Sequence, residues 1–197
     1  MGEALGKADE DSTAWRRALR RDMVARRAAL AEAEHAAASA RIVGHLQAAF
    51  AAPRVLAFCW PIKHEPDVRA IVDYWRRAGC RAALPVVLAE NAPLAFREWR
   101  SETPLGADRY GIPTPTVGDW LLPEMILLPL NGFDAAGYRL GYGGGYFDRT
   151  LAALNPRPLA VGVGFEINRL PSIRPEVHDQ RLDWIVTEAG AFKPAVA

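Results

Sequence analysis

Cysteine is scarce in this chain. Cys59 and Cys80 are the only two, they form no Cys-x-x-Cys motif, and both lie in apolar segments. They read as reduced core thiols, which excludes a disulfide framework. The four histidines, His35, His45, His64 and His178, are scattered, and none pairs with a cysteine at zinc spacing. Net charge is also low, at +1, so overall charge gives no general affinity for nucleic acid or a membrane surface. No apolar run approaches the roughly 20 residues that cross a bilayer. The opening stretch MGEALGKADEDSTA has no hydrophobic core and carries four acids. That pattern argues against a signal peptide or an acid-poor transit sequence. The expectation is a cytoplasmic protein with a disordered tail over residues 1–13.

What is present is an ordinary globular composition: 197 residues, 50% hydrophobic and 24% charged. That length suits one domain, expected over residues 14–197. Ser12 or Thr13 can cap a helix starting near Trp15, where Trp15, Leu19, Met23 and Leu30 keep helical spacing. A second, alanine-rich helix is expected from about Glu32 to Phe50. RVLAFCW (54–60) reads as a buried strand. PDVRAIVDYWRRAG follows as a helix, with Pro66 in its first turn and Gly79 just past its end. CRAALPVV and LAFREW read as strands. Residues 100–123 are rich in Pro, Gly and Thr and read as an ordered surface loop. MILLPL (125–130) is a hydrophobic strand, LAVGVGF and DWIVTE two more. Strands alternating with helices give an α/β fold, with a mostly parallel sheet covered by helices on both faces. Ligands of such sheets bind beyond the carboxyl ends of the strands, and residues 130–148 follow one.

That segment contains RLGYGGGYFDR (139–149), with four glycines among the five residues Gly141 to Gly145. Glycine allows positive φ and lets several N–H groups converge. A helix starting in or just after the glycines and running to about Leu154 adds the positive end of its dipole. Such a cradle suits phosphate, with Arg139 as a bidentate clamp. The stretch matches neither G-x-x-x-x-G-K-[ST] nor G-x-G-x-x-G, which fails at Tyr146. On glycine content alone, a structural turn accounts for it equally well. Asp148 would repel phosphate unless a divalent cation bridged the two, an arrangement Mg²⁺ accepts. The alternative, that Asp148 caps the helix or pairs with Arg149, stands level with it.

FDAAGYRLGYGGGYFDR resembles the signature of the 5-formyltetrahydrofolate cyclo-ligase (5,10-methenyltetrahydrofolate synthetase) family. The basic first helix, PIKHEPDVRAIV, LPVV, LAFREW, YGIPTP, ILLPLNGFD and HDQRLDWIVTE follow in the family's order, so the resemblance covers nearly the whole chain after residue 14. It implies a single three-layer α/β/α domain of the NagB/RpiA/CoA-transferase-like kind. It also implies a cytoplasmic enzyme acting on a reduced folate, with ATP as cosubstrate and Mg²⁺ as cofactor. A monomer is expected, without nucleic-acid or membrane partners. By matching positions, Arg139 and the backbone of Leu140, Gly141, Tyr142, Gly143, Gly144, Gly145, Tyr146 and Phe147 would hold ATP phosphates. Tyr146 would also border the formyl group and pterin, and Arg139 and Tyr146 would be catalytic. Asp148 and Asp179 would bind Mg²⁺. Glu65 would hydrogen-bond the pterin, and Trp60 would line the same pocket unless it is a core tryptophan at a strand end.

In RRALRRDMVARR, Arg16 and Arg20 share a helix face and match two basic positions that reach the nucleotide in the family. Arg17, Arg21, Arg26 and Arg27 read as a solvated face. The chain departs from the family pattern at three places. Arg16 stands where lysine is usual, Tyr142 and Gly144 stand where some relatives carry basic residues, and Thr114 stands where an acid is expected. Two other readings compete: a family member without the activity, and a nucleic-acid binder using the arginine-rich helix. Retention of Arg139, Asp148, Asp179 and Glu65 argues against the first, and near-zero net charge against the second.

Overall fold

The computed structural model describes residues 2–195. In chain order the elements are α1 (Gly2–Ala28), α2 (Glu32–Ala49), β1 (Val55–Ala57), α3 (Arg69–Arg77), β2 (Arg81–Val86), β3 (Ala95–Trp99), β4 (Leu105–Ala107), β5 (Pro113–Pro115) and β6 (Met125–Pro129). There follow β7 (Gly132–Phe133), β8 (Arg139–Leu140), α4 (Tyr146–Ala153), β9 (Leu159–Val163), a 3₁₀ turn at Glu166–Asn168, β10 (Trp184–Thr187) and β11 (Gly190–Phe192).

Strand alternation makes the layers. Leu56, Ala82, Leu84, Met125, Leu127, Val161, Val163 and Val186 face one way and pack under α2 and α3 through Ala38, Ile42, Leu46, Ile71, Val72 and Trp75. The intervening positions, Ala57, Ala83, Ile126, Leu128, Ala160 and Ile185, face the other way and pack with Leu151 of α4 and with Phe133. Both faces are covered, so β6 reads as a continuous apolar run rather than an alternating one. The sheet order is β11-β10-β9-β6-β1-β2-β3. The five central strands are parallel, and the edge strands β3 and β11 are antiparallel to their neighbours.

Chain direction across the sheet reverses between β1 and β6. From β1 the chain crosses through α3 to β2 on one side, and from β6 through α4 to β9 on the other. The crevice at their carboxyl ends is the point where such sheets bind ligands. The segment after β1 carries Trp60 and Glu65. The segment after β6 carries Asn131 and then the β7–β8 hairpin, which leads into the glycines.

Four sequence expectations change. The first helix begins at Gly2, not near Trp15, so the expected tail is helical from Gly2. GEALGKADED is rich in Ala, Glu, Leu and Lys, which favour helix. Ser12 does not cap a helix; its hydroxyl donates to Glu176 at 3.2 Å. Pro66 precedes α3 rather than sitting in its first turn, and Asp67 Oδ1 accepts the Arg69 N–H at 3.0 Å. The far end of α3 is as expected, with Gly79 at φ +95° just past it. Within residues 100–123, β4 and β5 form a small antiparallel hairpin. Thr114, in place of the expected acid, donates its hydroxyl to the Pro85 carbonyl at 3.1 Å and ties that hairpin to β2.

Candidate active site

The glycine loop is anchored at both ends. β8 pairs with β7, placing Leu140 opposite Gly132. On the other side, α4 opens with Gly145 as its cap residue at φ +62°. Gly143 lies at φ +99°. These two positions require the left-handed region, and the turn they make leaves the first N–H groups of α4 without helical partners. Asp148 sits in the first turn of α4, where its charge favours the helix dipole.

Three arginines of α1 reach the site from a single stripe that also holds buried Met23. Arg16 is 7% exposed and Arg27 1%. Arg16 Nη2 donates to Asp179 Oδ2 at 2.5 Å and to the Arg174 carbonyl at 2.8 Å. Arg20 Nε donates to the Gly141 carbonyl at 2.9 Å. Its terminal nitrogens have no hydrogen-bond partner among the described residues, and a Cβ added to Gly143 would lie 3.3 Å from Nη1. Burial first, then the charge of Arg16, push the Arg20 guanidinium below its ordinary range, against the pull of Asp179 and Glu176. A half-buried cation with spare donors beside bare backbone is prepared for an anion.

Arg139 is 6% exposed and donates from Nη1 to Asp148 Oδ1 at 3.1 Å and to the Gln180 carbonyl at 3.3 Å. Asp148 Oδ1 also accepts the Gln180 N–H at 3.0 Å. Asp148 therefore pairs with Arg139, not with Arg149. Asp179 Oδ2 accepts the Glu176 N–H at 2.7 Å as well as Arg16. Burial raises the Asp179 carboxyl, but the hydrogen bonds from Arg16 and Glu176 and the Arg16 charge more than offset it, leaving it below its ordinary 3.8. The two carboxylates thus meet the chain at adjacent positions, 179 and 180. Each keeps one oxygen lightly used, a hard donor of the type that Mg²⁺ takes, and no group of three such side chains gathers among the described residues.

Glu65 is buried at the end of the β1 loop. Its Oε2 accepts the Ile62 N–H at 3.1 Å, and its Oε1 accepts the Tyr142 hydroxyl. Arg27 closes the cluster. Its Nε donates to the Lys63 carbonyl, Nη1 to Asn131 Oδ1 and Nη2 to the Tyr142 hydroxyl oxygen, each at 2.7 Å. Arg27 Nη2 is 3.8 Å from Glu65 Oε1. Lys63 and His64 hold positive φ, at 49° and 56°, so the loop turns sharply just before Glu65. A narrow apolar recess lined by Cys59, Pro61, Glu65, Leu127, Pro129 and Val163 opens beside the carboxylate.

Arg27 is the main correction to the sequence reading, for it is a buried hub rather than part of a solvated face. The available signal was its place on the Arg16–Arg20–Met23 stripe. Asn131 was also missed; its Nδ2 is buried without a partner among the described residues. Tyr110, in the β4–β5 hairpin, meets Tyr146 hydroxyl to hydroxyl at 2.9 Å. Trp60 is not gathered with Glu65. Its partly buried ring stands edge-on to Trp99 at 5.9 Å and under Arg69 at 5.2 Å, packed against the edge of the core.

A doubly covered parallel sheet with a glycine turn and a buried carboxylate at its reversal point has the layout of an α/β ligand-binding protein. The family model of the 5-formyltetrahydrofolate cyclo-ligase family matches residues 12–188. The 5-formyltetrahydrofolate cyclo-ligase of Mycolicibacterium smegmatis is 32% identical over 141 residues, covering 64% of this chain and 70% of that protein. The Escherichia coli K12 enzyme of the same name is 37% identical over 94 residues, covering 44% of this chain and 51% of its own. Among solved structures, Aquifex aeolicus 5,10-methenyltetrahydrofolate synthetase superposes with a TM-score of 0.78 at 26% identity, covering 92% of this chain and 94% of that one. The chain belongs to the 5-formyltetrahydrofolate cyclo-ligase family and is an enzyme of that family.

Proposed function

We propose that the protein uses ATP and Mg²⁺ to convert 5-formyltetrahydrofolate to 5,10-methenyltetrahydrofolate, releasing ADP and phosphate. The observation that carries the nucleotide half is Arg20, a partly desolvated guanidinium with unused donors set against the bare backbone of Gly143. Family membership supports the folate half.

In this reading the loop 140–147 and the N-terminus of α4 hold the phosphates, with Arg16, Arg20 and Arg139 neutralising their charge. Asp148 and Asp179 would hold the cation, which would supply neutralisation of phosphate charge. As phosphates arrive, Arg139 and Arg16 exchange carboxylate for phosphate oxygens. Glu65 accepts pterin N–H groups. Tyr146 borders the formyl group, and Tyr110 holds the Tyr146 hydroxyl. The formyl oxygen attacks the γ-phosphorus and displaces ADP; N10 then adds to the activated carbon and gives up its proton, and phosphate leaves with the former formyl oxygen. The protein forms no covalent bond. It aligns the two substrates and excludes water.

Mixing purified protein with 5-formyltetrahydrofolate, ATP and Mg²⁺ should raise the ultraviolet band of the methenyl product only when all three are present. A titration that shows ATP bound without product would overturn the folate assignment. Asp148→Ala should abolish turnover and weaken Mg²⁺-dependent ATP binding by about ten-fold or more, the loss expected when a charge-assisted contact goes. Normal turnover would remove Asp148 from the metal site.

A further inference from the structure

The carboxylate of Glu65 is only 3% exposed. Both of its oxygens are already occupied, one by the Ile62 backbone and one by the Tyr142 hydroxyl. Each oxygen keeps a further lone pair, but at this burial a ligand can reach Glu65 only if a neighbouring group moves aside. Ile62 binds through its main chain, and Arg27 is 1% exposed and held, apart from its bond to Tyr142, by the Lys63 carbonyl and Asn131. Tyr142 differs from both. It is 41% exposed. A Cβ added to its neighbour Gly141 would meet nothing within 4 Å, so no packed group crowds the chain on that side. Its ring carries the Lys63 ammonium 5.0 Å from the centroid, on the solvent side of the same loop.

We propose that Tyr142 is a latch over the folate-binding carboxylate: its hydroxyl occupies Glu65 Oε1 in the ligand-free enzyme and is displaced by the pterin N–H donors. The inference rests on the folate role proposed for Glu65. The hydroxyl mimics the donor it gives way to, so the buried carboxylate is never left without a partner. Release keeps Arg27 in place beside Glu65, 3.8 Å from Oε1, and the carboxylate stays charge-compensated while the tyrosine moves out. Because Tyr142 belongs to the glycine loop, the same displacement frees it from Arg27 and from the β1 loop, leaving the Arg20 bond to the Gly141 carbonyl as a tie to α1. Phosphate contacts can then set its final shape. Tyr142 is a positioning residue in this scheme; it contacts neither reacting atom.

The test is an equilibrium titration of the full chain with 5-formyltetrahydrofolate, comparing wild type, Tyr142→Phe and Glu65→Gln. A latch competes with its ligand, so removing only the hydroxyl should tighten folate binding about ten-fold or more, the weight of a hydrogen bond to a charged group. Glu65→Gln should lose most of the affinity. If Tyr142→Phe binds folate equally or more weakly, the latch is wrong and the hydroxyl is instead a support for Glu65. If wild type and both variants all fail to bind folate, the folate reading itself falls, and the latch with it. A thermal melt of Tyr142→Phe close to wild type confirms that the affinity compares folded proteins; should it melt early, Tyr142→His, which keeps a ring but shortens the reach to Glu65, carries the same expectation.

Discussion

Arg27 belongs to a run in which six arginines fall within twelve residues, yet its surroundings set it apart from Arg17, Arg21 and Arg26. All three of its donor nitrogens are used, and Glu65 lies beside it. Removing the charge would leave a buried carboxylate uncompensated. Arg27→Met should accordingly destabilise the fold by about 3–5 kcal/mol, read by chemical denaturation, whereas Arg17→Met should change it by less than about 0.5 kcal/mol. Glu65 also sets a pH dependence. Burial pushes its carboxyl above the ordinary 4.5, and the hydrogen bonds from Tyr142 and Ile62, with the charges of Arg27 and Lys63, pull it back only in part. The folded chain thus keeps this proton to higher pH than the unfolded chain. Its contribution to stability is full below 4.5 and is lost as pH rises through the raised folded value. Melts of Glu65→Gln across that window should fall less with rising pH than those of wild type. The acid at this position was legible in KHEPD. Its partner was not, because nothing in a helical repeat of arginines tells which one meets a carboxylate arriving 38 positions later, from Arg27 to Glu65.

At the scale of the element, the glycine loop divides into positions with different demands. Gly143 needs φ +99°, and a Cβ there would sit 3.2 Å from Arg20 Cζ. Gly141 has an ordinary φ and open space around its Cβ position. Gly143→Ala should lower stability by about 1–3 kcal/mol, the usual cost of a strained backbone position, and weaken ATP binding by displacing Arg20. Gly141→Ala should melt like wild type; if it still loses ATP affinity in a titration, phosphate approaches the main chain there. The sequence announced a break before a helix here, but the four glycines by themselves left a structural turn and a close approach level. It announced β1, β2, β6, β9 and β10 as well, because strands buried on both faces leave unbroken apolar runs. The hairpins were hidden. β4–β5 and β7–β8 each use strands of only two or three residues, too short to display a period. The early start of α1 was hidden by its acids, which suit a solvated helix as well as a tail.

For the molecule as a whole, the parallel strands form the interior, while the site is assembled from loops at their carboxyl ends and from α1 laid across them. Few apolar contacts bind α1 there; Met23 is its one fully buried apolar side chain among the described residues. Its attachment to the site is largely polar and runs through the ligand-binding segments themselves. Ligands that engage both should therefore stabilise α1 more than the sheet. Hydrogen exchange should show amides of residues 16–27 gaining protection when ATP and folate are bound, while those of β6 and β9, already protected, change little. Equal gains everywhere would mean that α1 is as firmly fixed as the core without ligand.

The contacts of α1 also span nearly the full length of the chain. Arg16 bonds Asp179 across 163 positions, Arg20 bonds Gly141 across 121, and Arg27 bonds Lys63 across only 36. A ribosome makes these arginines first and their partners last. While the chain grows, Arg27 can find its early acceptor, but Arg20 has no partner until residue 141 emerges, and Arg16 none until residue 179 does. A nascent chain that stops short of Gly141 and Asp179 would hold β1, β2 and β3 but neither of these two long-range ties of α1, so α1 would dock late in synthesis.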